Sequence, residues 1–538
     1  MRGPSLVLSM LFLLILVLFI ESSKSRSLLD QEKAAINPVL GSEQEVSCIG
    51  CVLIVSMVEQ LAQIHNSSTR EAMERLCSYL PEEGGIRGIC CLIADIFGAD
   101  LIKLLTLSLK ADVICYAVKL CKSEPLQPVC HLYEKPVMGL KRSIKQAEKI
   151  VRKSNYMSLR GYHWRGKDCN DINNSIYPGR SPKDWDSLQD SNCNGIWGFD
   201  PEDGIPYEKK FCAGTDSKGI IILGDSAAAH FHIPPEWLTP MTLSKNSFSN
   251  LALAISNELD WPQFSMYTGF QNSTIGGWTQ SLYLRLRDWN RCNHRDYQNI
   301  ARNGGSSGNL HSYLTSMARN QQLDKPAIVF YAMIGNDVCN PSVDTLKSMT
   351  TPKEMRTNVL KELKYLDMNL PKGSHVILVS LADGRFLWNT LHDRYHPLGQ
   401  LNKDITYEQF YGFLSCVKTN PCEGWMNKNE TLRNLTTERA EQLSRVLQDI
   451  TTTEKFSNFQ LSYYENLYQK VSAKWEHFGG NPWDLLEPVD GFHPNQIASA
   501  VGADLIWEET ILKQPEIFGK QNPFNQEIIK RFGDQGGH

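Results

Sequence analysis

The sequence predicts an α/β domain with a parallel sheet, preceded by a small all-α module that is stapled by disulfides. Strand-like apolar runs alternate with helical patterns in the second half of the chain, which is typical of parallel α/β folds. These runs cover residues 220–223, 327–334, 375–381 and 459–464. Seven cysteines lie between residues 48 and 121, among shorter helical patterns. With 538 residues, 42% of them hydrophobic, the chain can build more than one core.

The N-terminus has the layout of a secretory signal peptide. Arg2 precedes a mostly apolar stretch over residues 6–20, which is short for a membrane-spanning helix. We predict a signal peptide over residues 1–23 and a short propeptide or disordered segment over 24–43. No other stretch reaches eighteen apolar residues, so we expect a soluble mature protein that is secreted or held in endolysosomal or secretory vesicles.

Composition supports this placement and excludes one class of partner. Fifteen cysteines fit an oxidising compartment, and the odd number leaves at least one thiol free or paired outside the chain. The net charge of −4, with no long basic or acidic run, argues against a nucleic-acid partner. Five Asn-x-Ser/Thr sequons are predicted glycosylation sites in a secreted chain. They lie at Asn66, Asn173, Asn272, Asn429 and Asn434.

The clustered cysteines resemble those of a saposin B-type domain, which we place at residues 44–125. The cysteines are Cys48, Cys51, Cys77, Cys90, Cys91, Cys115 and Cys121. Saposin domains are amphipathic helical leaves, so the resemblance implies contact with a membrane or lipid aggregate. The alternative is a stapled helical spacer that binds no ligand. By resemblance, the pairs are Cys48–Cys121, Cys51–Cys115 and Cys77–Cys91, or Cys77–Cys90. One of the two adjacent cysteines is left over and is available to tether the module to the rest of the chain.

Residues 126–160 form a predicted linker. Pro128 and Pro136 precede a basic helical stretch over residues 141–153. Exposed Lys and Arg side chains in a linker are preferred sites of proteolysis. We therefore predict a processing site here, with the two resulting subunits held together by a disulfide. The alternative is an intact helical bridge.

An acidic, asparagine-rich segment over residues 161–205 predicts a calcium site. Oxygen-bearing side chains alternate at Asp190, Asn192 and Asn194 before Gly195, as in an EF loop, although the twelfth position is Pro201. The candidate ligands are Asp168, Asn170, Asp171, Asn173, Asp186, Asp190, Asn192, Asn194, Asp200 and Asp203. We expect structural Ca²⁺, since the segment lacks the His/Cys cluster of a zinc site. The alternative is a solvated loop of Asx turns.

The triplet Gly224-Asp225-Ser226 ends the first strand-like run. A strand that turns into a helix at glycine presents a serine hydroxyl beside helix N–H groups, as a nucleophile requires. Taken alone, the triplet is a weak signal that is better explained by a surface turn. Further along the chain, Asn336 follows the second run and can point its amide at an oxyanion, or simply cap a helix.

Two more segments offer the partners that such a serine needs. A small-residue loop over residues 303–309 can bring a backbone N–H close to a substrate. Near the C-terminus, Asp490 lies three residues before His493. At this spacing on a turn, the carboxylate can accept from Nδ1–H of the imidazole and leave Nε2 to take the serine proton.

Together, the Ser, Gly, Asn and His blocks resemble those of the GDSL/SGNH hydrolase family, over residues 206–538. The resemblance implies a flavodoxin-like α/β/α fold, esterase or lipase activity and no organic cofactor. It assigns Ser226 as the nucleophile, His493 as the general base and acid, and Asp490 as the residue that orients His493. The implied oxyanion donors are the Ser226 N–H, the Gly308 N–H and the Asn336 side chain, with Gly304 as the alternative to Gly308.

A second serine motif needs to be excluded. Residues 304–308 fit the pattern Gly-x-Ser-x-Gly, with Ser306 at its centre. A nucleophile elbow requires a hydrophobic strand immediately before it. Residues 296–302 are polar and predict no such strand, so we reject Ser306 as the nucleophile.

A saposin-like module joined to a GDSL hydrolase in one secreted chain resembles the lipopolysaccharide-deacylating hydrolases over nearly the whole length. Residues 160–166, 334–339 and 532–538 carry this resemblance. It implies removal of secondary fatty acyl chains from lipid A, bound calcium and a two-subunit mature form, although the linker is short for that family. The alternatives are a secreted phospholipase or general lipid carboxylesterase, and a non-enzymatic lipid-binding or transfer protein.

Overall fold

The chain divides into two compact units, Met1–Leu159 and Arg160–His538, which are treated separately below. The structure is a computed structural model. It describes residues 69–78, 109–117, 139–153, 163–170, 173–239, 257–340, 344–416 and 420–538, with isolated positions between them. The predicted signal peptide, the segment 24–43 and the Asn66 sequon lie outside these residues. Within the described ranges, no helix has the length and apolar character to cross a membrane.

Three helices are described in the first unit: α1 (Thr69–Ser78), α2 (Ala111–Ala117) and α3 (Leu140–Lys153). Leu140, Ile144 and Ala147 recur on one face of α3 and join the core of this unit, while Lys141 and Arg142 of the same helix are exposed. Residues 140–153, which the sequence assigns to a linker, therefore pack as part of the first unit. They do so because apolar residues recur at positions i, i+4 and i+7 of this otherwise basic segment, which gives the helix an apolar face to bury.

Disulfides staple the first unit. Cys51 is bonded to Cys115, with 6.0 Å between their Cα atoms. Cys77 and Cys121 are also disulfide-bonded. Their predicted partners, Cys91 or Cys90 and Cys48, lie outside the described residues. The described helices and disulfides agree with a small all-α stapled module.

The second unit is built on five parallel strands in the order β2-β1-β3-β4-β5, as in flavodoxin-like sheets. The strands are β1 (Gly219–Gly224), β2 (Tyr297–Asn299), β3 (Ala327–Ala332), β4 (Ser374–Val379) and β5 (Phe459–Tyr464). Every residue of β1, β3 and β4 is buried, because helices cover both faces of the sheet. The α/β/α prediction is confirmed.

Twelve α-helices are described in the second unit. They are α4 (Tyr207–Cys212), α5 (Ser226–Ala229), α6 (Leu282–Trp289), α7 (His311–Leu314), α8 (Thr345–Ser348), α9 (Pro352–Asn369), α10 (Arg385–Leu391), α11 (Tyr407–Cys416), α12 (Glu430–Thr453), α13 (Leu467–His477), α14 (Gln496–Lys513) and α15 (Asn525–Phe532). Helix α14 is rich in small residues and packs closely; a Cβ on Gly502 would lie 2.4 Å from the Met266 methyl group. Helix α14 begins three residues after His493, so the close packing of this helix also fixes the position of the turn that carries His493.

Strand β2 corrects one expectation from the sequence, since residues 296–302 were expected to form no strand. Tyr297–Asn299 nevertheless pairs with β1 at the edge of the sheet. The polar side chains are compatible with burial because each is hydrogen-bonded: the Gln298 amide exchanges two bonds with the backbone of Ala318, and Asn299 Nδ2 donates to Thr268 Oγ1 at 3.0 Å.

Three described disulfides staple the second unit: Cys169–Cys193, Cys212–Cys292 and Cys339–Cys422. The last of these ties the segment after β3 to the loop that carries Trp425. Among the described cysteines, Cys416 is the free one, and it is exposed.

Candidate active site

The nucleophile turn follows β1 directly. Asp225 caps the short helix α5 by accepting a hydrogen bond from the Ala227 N–H at 3.1 Å. Its second oxygen accepts from the N–H groups of Ile334 and Gly335 at 2.9 and 3.2 Å. Burial raises the pKa of Asp225 to about 6, against the opposing effect of these N–H donors. The Asp225 carboxylate therefore connects the turn that carries Ser226 to the turn after β3 through hydrogen bonds to both.

The structure brings the three proposed catalytic residues together. The Ser226 hydroxyl lies 2.7 Å from His493 Nε2, and His493 Nδ1 lies 2.7 Å from Asp490 Oδ2. Asp490 Oδ1 accepts from the backbone N–H groups of Phe492 and His493. Burial opposes ionisation of Asp490, but the His493 ring and these N–H donors outweigh it and lower the pKa of this carboxyl. This arrangement leaves Nε2 as the base that faces the serine.

The turn around Asp490 is shaped by close packing against α11. Gly491 has a φ of +59°, and a Cβ there would lie 2.6 Å from the Tyr411 hydroxyl. That hydroxyl donates to the Gly491 carbonyl at 2.8 Å. The rings of Phe231 and Phe492 lie 4.5 and 4.8 Å from the imidazole of His493. The imidazole of His493 is thus fixed both by hydrogen bonds and by aromatic contacts.

Asn336 and the glycine loop lie beside the nucleophile. Asn336 lines the same cavity as Ser226, and its Nδ2 donates to the Gly305 carbonyl at 3.1 Å. Gly305 approaches the strand before Ser226 so closely that a Cβ would lie 2.9 Å from the Gly224 carbonyl. The Gly305 N–H is occupied by the Arg302 carbonyl. Asn336 is therefore well placed as an oxyanion donor, and Gly305 is the residue of the loop that contacts both Asn336 and the end of β1.

Gly308, the first choice from the sequence for the loop donor, lies elsewhere. It is exposed, and the nearest groups to a Cβ there are the side chains of Ser306 and Asn358. It does not line the cavity that contains Ser226. Because several glycines follow one another in this loop, spacing alone could not identify the correct one. Gly304, the alternative from the sequence, is also exposed and lies outside the lining of this cavity, so the choice between the two loop donors stays a prediction.

The second serine motif is not built as a nucleophile. Ser306 donates its N–H to Asn309, and no histidine among the described residues bonds to its hydroxyl. The neighbouring Ser307 donates its N–H and hydroxyl to Asp337, at 2.9 and 2.6 Å. Asp337 thereby ties the glycine loop to the Asn336 turn. Its position beside Asn336 was the only sequence signal for this role.

An apolar cavity opens at Ser226. Its volume is about 810 Å³ including the mouth, and Ser226, Asn336 and His493 lie in its wall. The remaining wall is mostly apolar and includes Phe386, Leu387, Trp425, Tyr468, Val471, Leu485, Leu486 and Phe492. The indole of Trp425 can form part of the wall because Gly384 has no side chain; a Cβ there would lie 2.1 Å from the ring. A cavity of this kind suits an aliphatic chain.

Two predicted calcium ligands have the properties of an ion site. Asp186 Oδ2 and Asp190 Oδ1 are buried and have no hydrogen-bond partner. Burial raises the pKa of Asp190 to about 6, with repulsion from Asp186 adding to it, and burial also raises the pKa of Asp186. Buried carboxylate oxygens without partners are costly unless a cation compensates them. These residues therefore fit a calcium ion, which prefers oxygen ligands.

Nearby amides support this cluster. Asn192 and Asn194 direct their Nδ2 groups to the buried Glu208, at 3.0 and 2.8 Å. Asp168 Oδ1 accepts from the Asn170 N–H, in the loop pinned by the Cys169–Cys193 disulfide. Because those two sulfurs are bonded to each other, their proximity to Asp168 does not make a thiolate metal site.

Other predicted ligands lie outside this cluster. Asp200 and Asp203 both bind Lys210, at 2.6 and 2.7 Å. Asn173 accepts from Ser175 in a local turn. Asp171 lies outside the described residues. The aspartates of this segment therefore form two groups. Asp186 and Asp190 belong to the candidate ion site, whereas Asp200 and Asp203 are paired with Lys210.

Comparison with known proteins identifies both parts of the chain. Residues 47–169 match the profile of the saposin-like domain, and residues 220–506 match that of the GDSL-like lipase/acylhydrolase family. The first match includes α1 to α3, and the second contains all five strands together with Ser226, Asn336, Asp490 and His493.

Three relatives extend this similarity over the whole chain. The acyloxyacyl hydrolase of Mus musculus is 53% identical, with 91% of this chain and 93% of the relative covered. That of Homo sapiens is 51% identical over 98% of both chains, and that of Oryctolagus cuniculus is 51% identical over 100% of both. The chain therefore belongs to the acyloxyacyl hydrolase family, and it is an ester hydrolase in which a saposin-like domain precedes a GDSL lipase domain.

Proposed function

We propose that the protein is a secreted serine esterase that removes secondary, acyloxyacyl-linked fatty acids from the lipid A of bacterial lipopolysaccharide. The observation that carries this proposal is the Ser226–His493 hydrogen bond at the mouth of an apolar cavity. The names of the relatives support the choice of bond, since an acyloxyacyl group is an acyl chain esterified to the hydroxyl of another acyl chain. The product would be a detoxified lipopolysaccharide.

Hydrolysis would proceed in two acyl transfers. His493 Nε2 takes the proton of the Ser226 hydroxyl as its oxygen attacks the ester carbonyl carbon. The Ser226 N–H, the Asn336 amide and a backbone N–H of the glycine loop, from Gly308 or Gly304, stabilise the oxyanion. His493 then gives its proton to the departing oxygen of the primary acyl chain, which leaves as a hydroxyl group. Water, deprotonated by the same imidazole, attacks the acyl-serine, and the imidazolium returns this proton to the Ser226 oxygen as the fatty acid is released.

A polar cleft beside the acyl cavity supports a substrate with a large headgroup. The cleft has a volume of about 1250 Å³ and shares Ala382, Asp383 and Gln469 with the apolar cavity. Its wall includes the polar side chains Ser380, Glu441, Ser444, Arg445, Gln448, Glu465, Asn466 and Lys470. An acyl cavity that adjoins a polar cleft matches a lipid better than a simple ester does.

The saposin-like unit would supply the contact with the lipid aggregate, and secretion follows from the signal-peptide pattern. The described disulfides are consistent with an oxidising compartment. Among the predicted glycosylation sites, Asn272, Asn429 and Asn434 are exposed. Cleavage in the linker would yield two disulfide-linked subunits, and the exposed thiol of Cys416 is available for that link.

Mass spectrometry of the products tests the proposed substrate. Lipid A and phosphatidylcholine vesicles are incubated separately with the protein. We expect lipid A to lose the mass of its secondary chains while its primary chains remain attached, because the acyloxyacyl ester is the bond assigned to Ser226. Hydrolysis of the phospholipid with lipid A intact would replace the proposal with a secreted phospholipase, the nearest alternative. The assembled hydrolase site argues against a purely lipid-binding protein.

We also propose a structural Ca²⁺ ion held by Asp186 and Asp190, with Asn192, Asn194, Asp168 and Asn170 as neighbouring oxygen donors. The ion would neutralise the two buried carboxylates and stiffen the segment before β1. It has no assigned role in the ester chemistry.

Removing calcium is expected to lower the melting temperature by a few °C at pH 7, because a bound ligand at about 100 times its Kd contributes about 2.7 kcal/mol. The effect should shrink as the pH falls through 6, since the raised pKa of Asp190 lets protons replace the ion. Differential scanning calorimetry with and without a chelator measures both effects, and elemental analysis measures the bound ion.

The matched variants are Asp186→Asn, which should lose the response to the chelator, and Asp203→Asn, which should keep it because Asp203 binds Lys210. Wild-type protein that contains no calcium and melts identically with the chelator would contradict the calcium proposal.

A further inference from the structure

A second histidine–carboxylate pair lies behind the catalytic residues. His232 Nδ1 and Glu487 Oε2 are 2.7 Å apart, and the two side chains are only 4% and 2% exposed. The proposed chemistry uses neither group. Burying a carboxylate is costly, so a buried pair of this kind calls for a structural or functional reason.

His232 belongs to the nucleophile side of the site. It follows Ser226 by six residues, after helix α5 ends at His230 with a φ of +67°. Its N–H donates to the Leu259 carbonyl at 3.0 Å, and its carbonyl accepts from Trp261 Nε1 at 3.0 Å. The imidazole is therefore held on a rigid segment that begins at the nucleophile.

Glu487 belongs to the base side of the site. Its N–H donates to the His493 carbonyl at 2.8 Å, and its own carbonyl accepts from the Gly491 N–H at 2.9 Å. These two bonds close the turn that contains Asp490 and His493. The side chain of Glu487 leaves the base of this turn and reaches the segment that follows Ser226. The pair thus joins two parts of the chain that are 255 residues apart.

We propose that His232 and Glu487 are positioning residues, which hold the turn 487–493 in register with the segment 226–232 and place the Glu487 charge near His493. This inference rests on the proposed triad of Ser226, His493 and Asp490. Two other contacts join the same segments, the Ser226–His493 hydrogen bond and the Phe231–His493 ring contact. Both involve the reacting imidazole, whereas the His232–Glu487 pair does not change during the reaction.

The charges around the catalytic imidazole determine the expected pH effect. The titratable groups that interact with His493 are Asp490, Glu487, Asp225 and His230. Burial raises the pKa of Glu487, while His232 and His493 favour its ionised form and Asp490 opposes it. An ionised Glu487 stabilises the imidazolium of His493. Removing this charge should let the imidazole act as a base at lower pH.

The test compares kcat and KM over a range of pH with p-nitrophenyl butyrate, a soluble ester that needs no lipid surface. Glu487→Gln removes the charge and keeps the side-chain volume and a hydrogen-bonding group. We expect the acidic limb of its kcat/KM profile to move to lower pH by roughly half a unit or more. Glu487→Ala also removes the contact, and we expect kcat to fall by about 10- to 100-fold with little change in KM, because the base is then misplaced.

Glu362→Gln is the matched control, because Glu362 is 1% exposed and also pairs with a histidine, His311, and neither residue lines the cavity that contains Ser226. Its pH profile should coincide with that of the wild type. A Glu487→Gln profile that coincides with both would overturn the inference, even if Glu487→Ala fails to fold. Ser226→Ala distinguishes failure of the positioning proposal from failure of the proposed triad. If this variant still hydrolyses the ester, the triad itself is wrong.

Discussion

Replacing Ser226 by alanine is expected to lower ester hydrolysis by about 10⁴- to 10⁶-fold, the loss seen when a serine hydrolase loses its nucleophile. The hydroxyl lies 2.7 Å from Nε2 of His493 in the wall of the apolar cavity, and alanine leaves no oxygen at this position to attack the ester. The rate is measured with p-nitrophenyl butyrate and with lipid A, and a fluorophosphonate probe should label the wild type but not the variant.

Ser306→Ala is the matched control for this prediction. Ser306 is the serine of the Gly-x-Ser-x-Gly motif, and it lies on the same glycine loop that approaches the site. We expect this variant to keep its activity and its labelling. Substantial hydrolysis by Ser226→Ala, or loss of labelling in Ser306→Ala alone, would disprove the assignment of the nucleophile.

Replacing Asp490 by asparagine is expected to lower kcat by about 10⁴-fold, as the corresponding change does in other serine triads. The carboxylate accepts from His493 Nδ1–H and so keeps Nε2 unprotonated towards the serine. An asparagine amide can donate to Nδ1 instead, which selects the opposite tautomer. Stopped-time assays at several pH values, together with thermal melting, measure the effect on rate and stability.

The lowered pKa of Asp490 also predicts the sign of the stability effect. A carboxyl with a depressed pKa stabilises the fold above its unfolded pKa of about 3.9, and this contribution is lost as the pH falls further. The wild type should therefore exceed Asp490→Asn in stability at pH 7, with a smaller difference below about pH 4. Asp504→Asn, which breaks a surface pair with Arg285, should leave kcat unchanged. A rate for Asp490→Asn within tenfold of the wild type would contradict the role given to Asp490.

Local patterns in the sequence predicted much of this architecture. Strands β1, β3, β4 and β5 are continuous apolar or alternating runs, and such runs are informative because burial acts on each residue directly. The Asp490–His493 spacing predicted the contact between these two side chains because both residues lie on one turn. The Ser226 turn was identified because a buried strand stops at a glycine.

The remaining features depend on contacts between distant residues. Strand β2 has polar side chains whose partners lie on other segments, so its own sequence resembles a loop. The close approach of Gly305 to Gly224 and Asn336 depends on the path of the backbone, which residue type does not reveal. Asp200 and Asp186 are both acidic, but only the fold shows that Asp200 faces a lysine. His232 and Glu487 are 255 residues apart, so no local spacing in the sequence predicts that they form a pair.

The distance along the chain between Ser226 and His493 has a consequence for biosynthesis. The nucleophile emerges 267 residues before its base, because β1 is the first strand of the domain and the His493 turn follows the last one. At ordinary translation rates of 5–20 residues per second, this interval lasts roughly 13 to 53 s. A nascent chain therefore holds its serine without the base for that time. The Ser226–His493 pair can therefore form only after the turn that carries His493 has been synthesised.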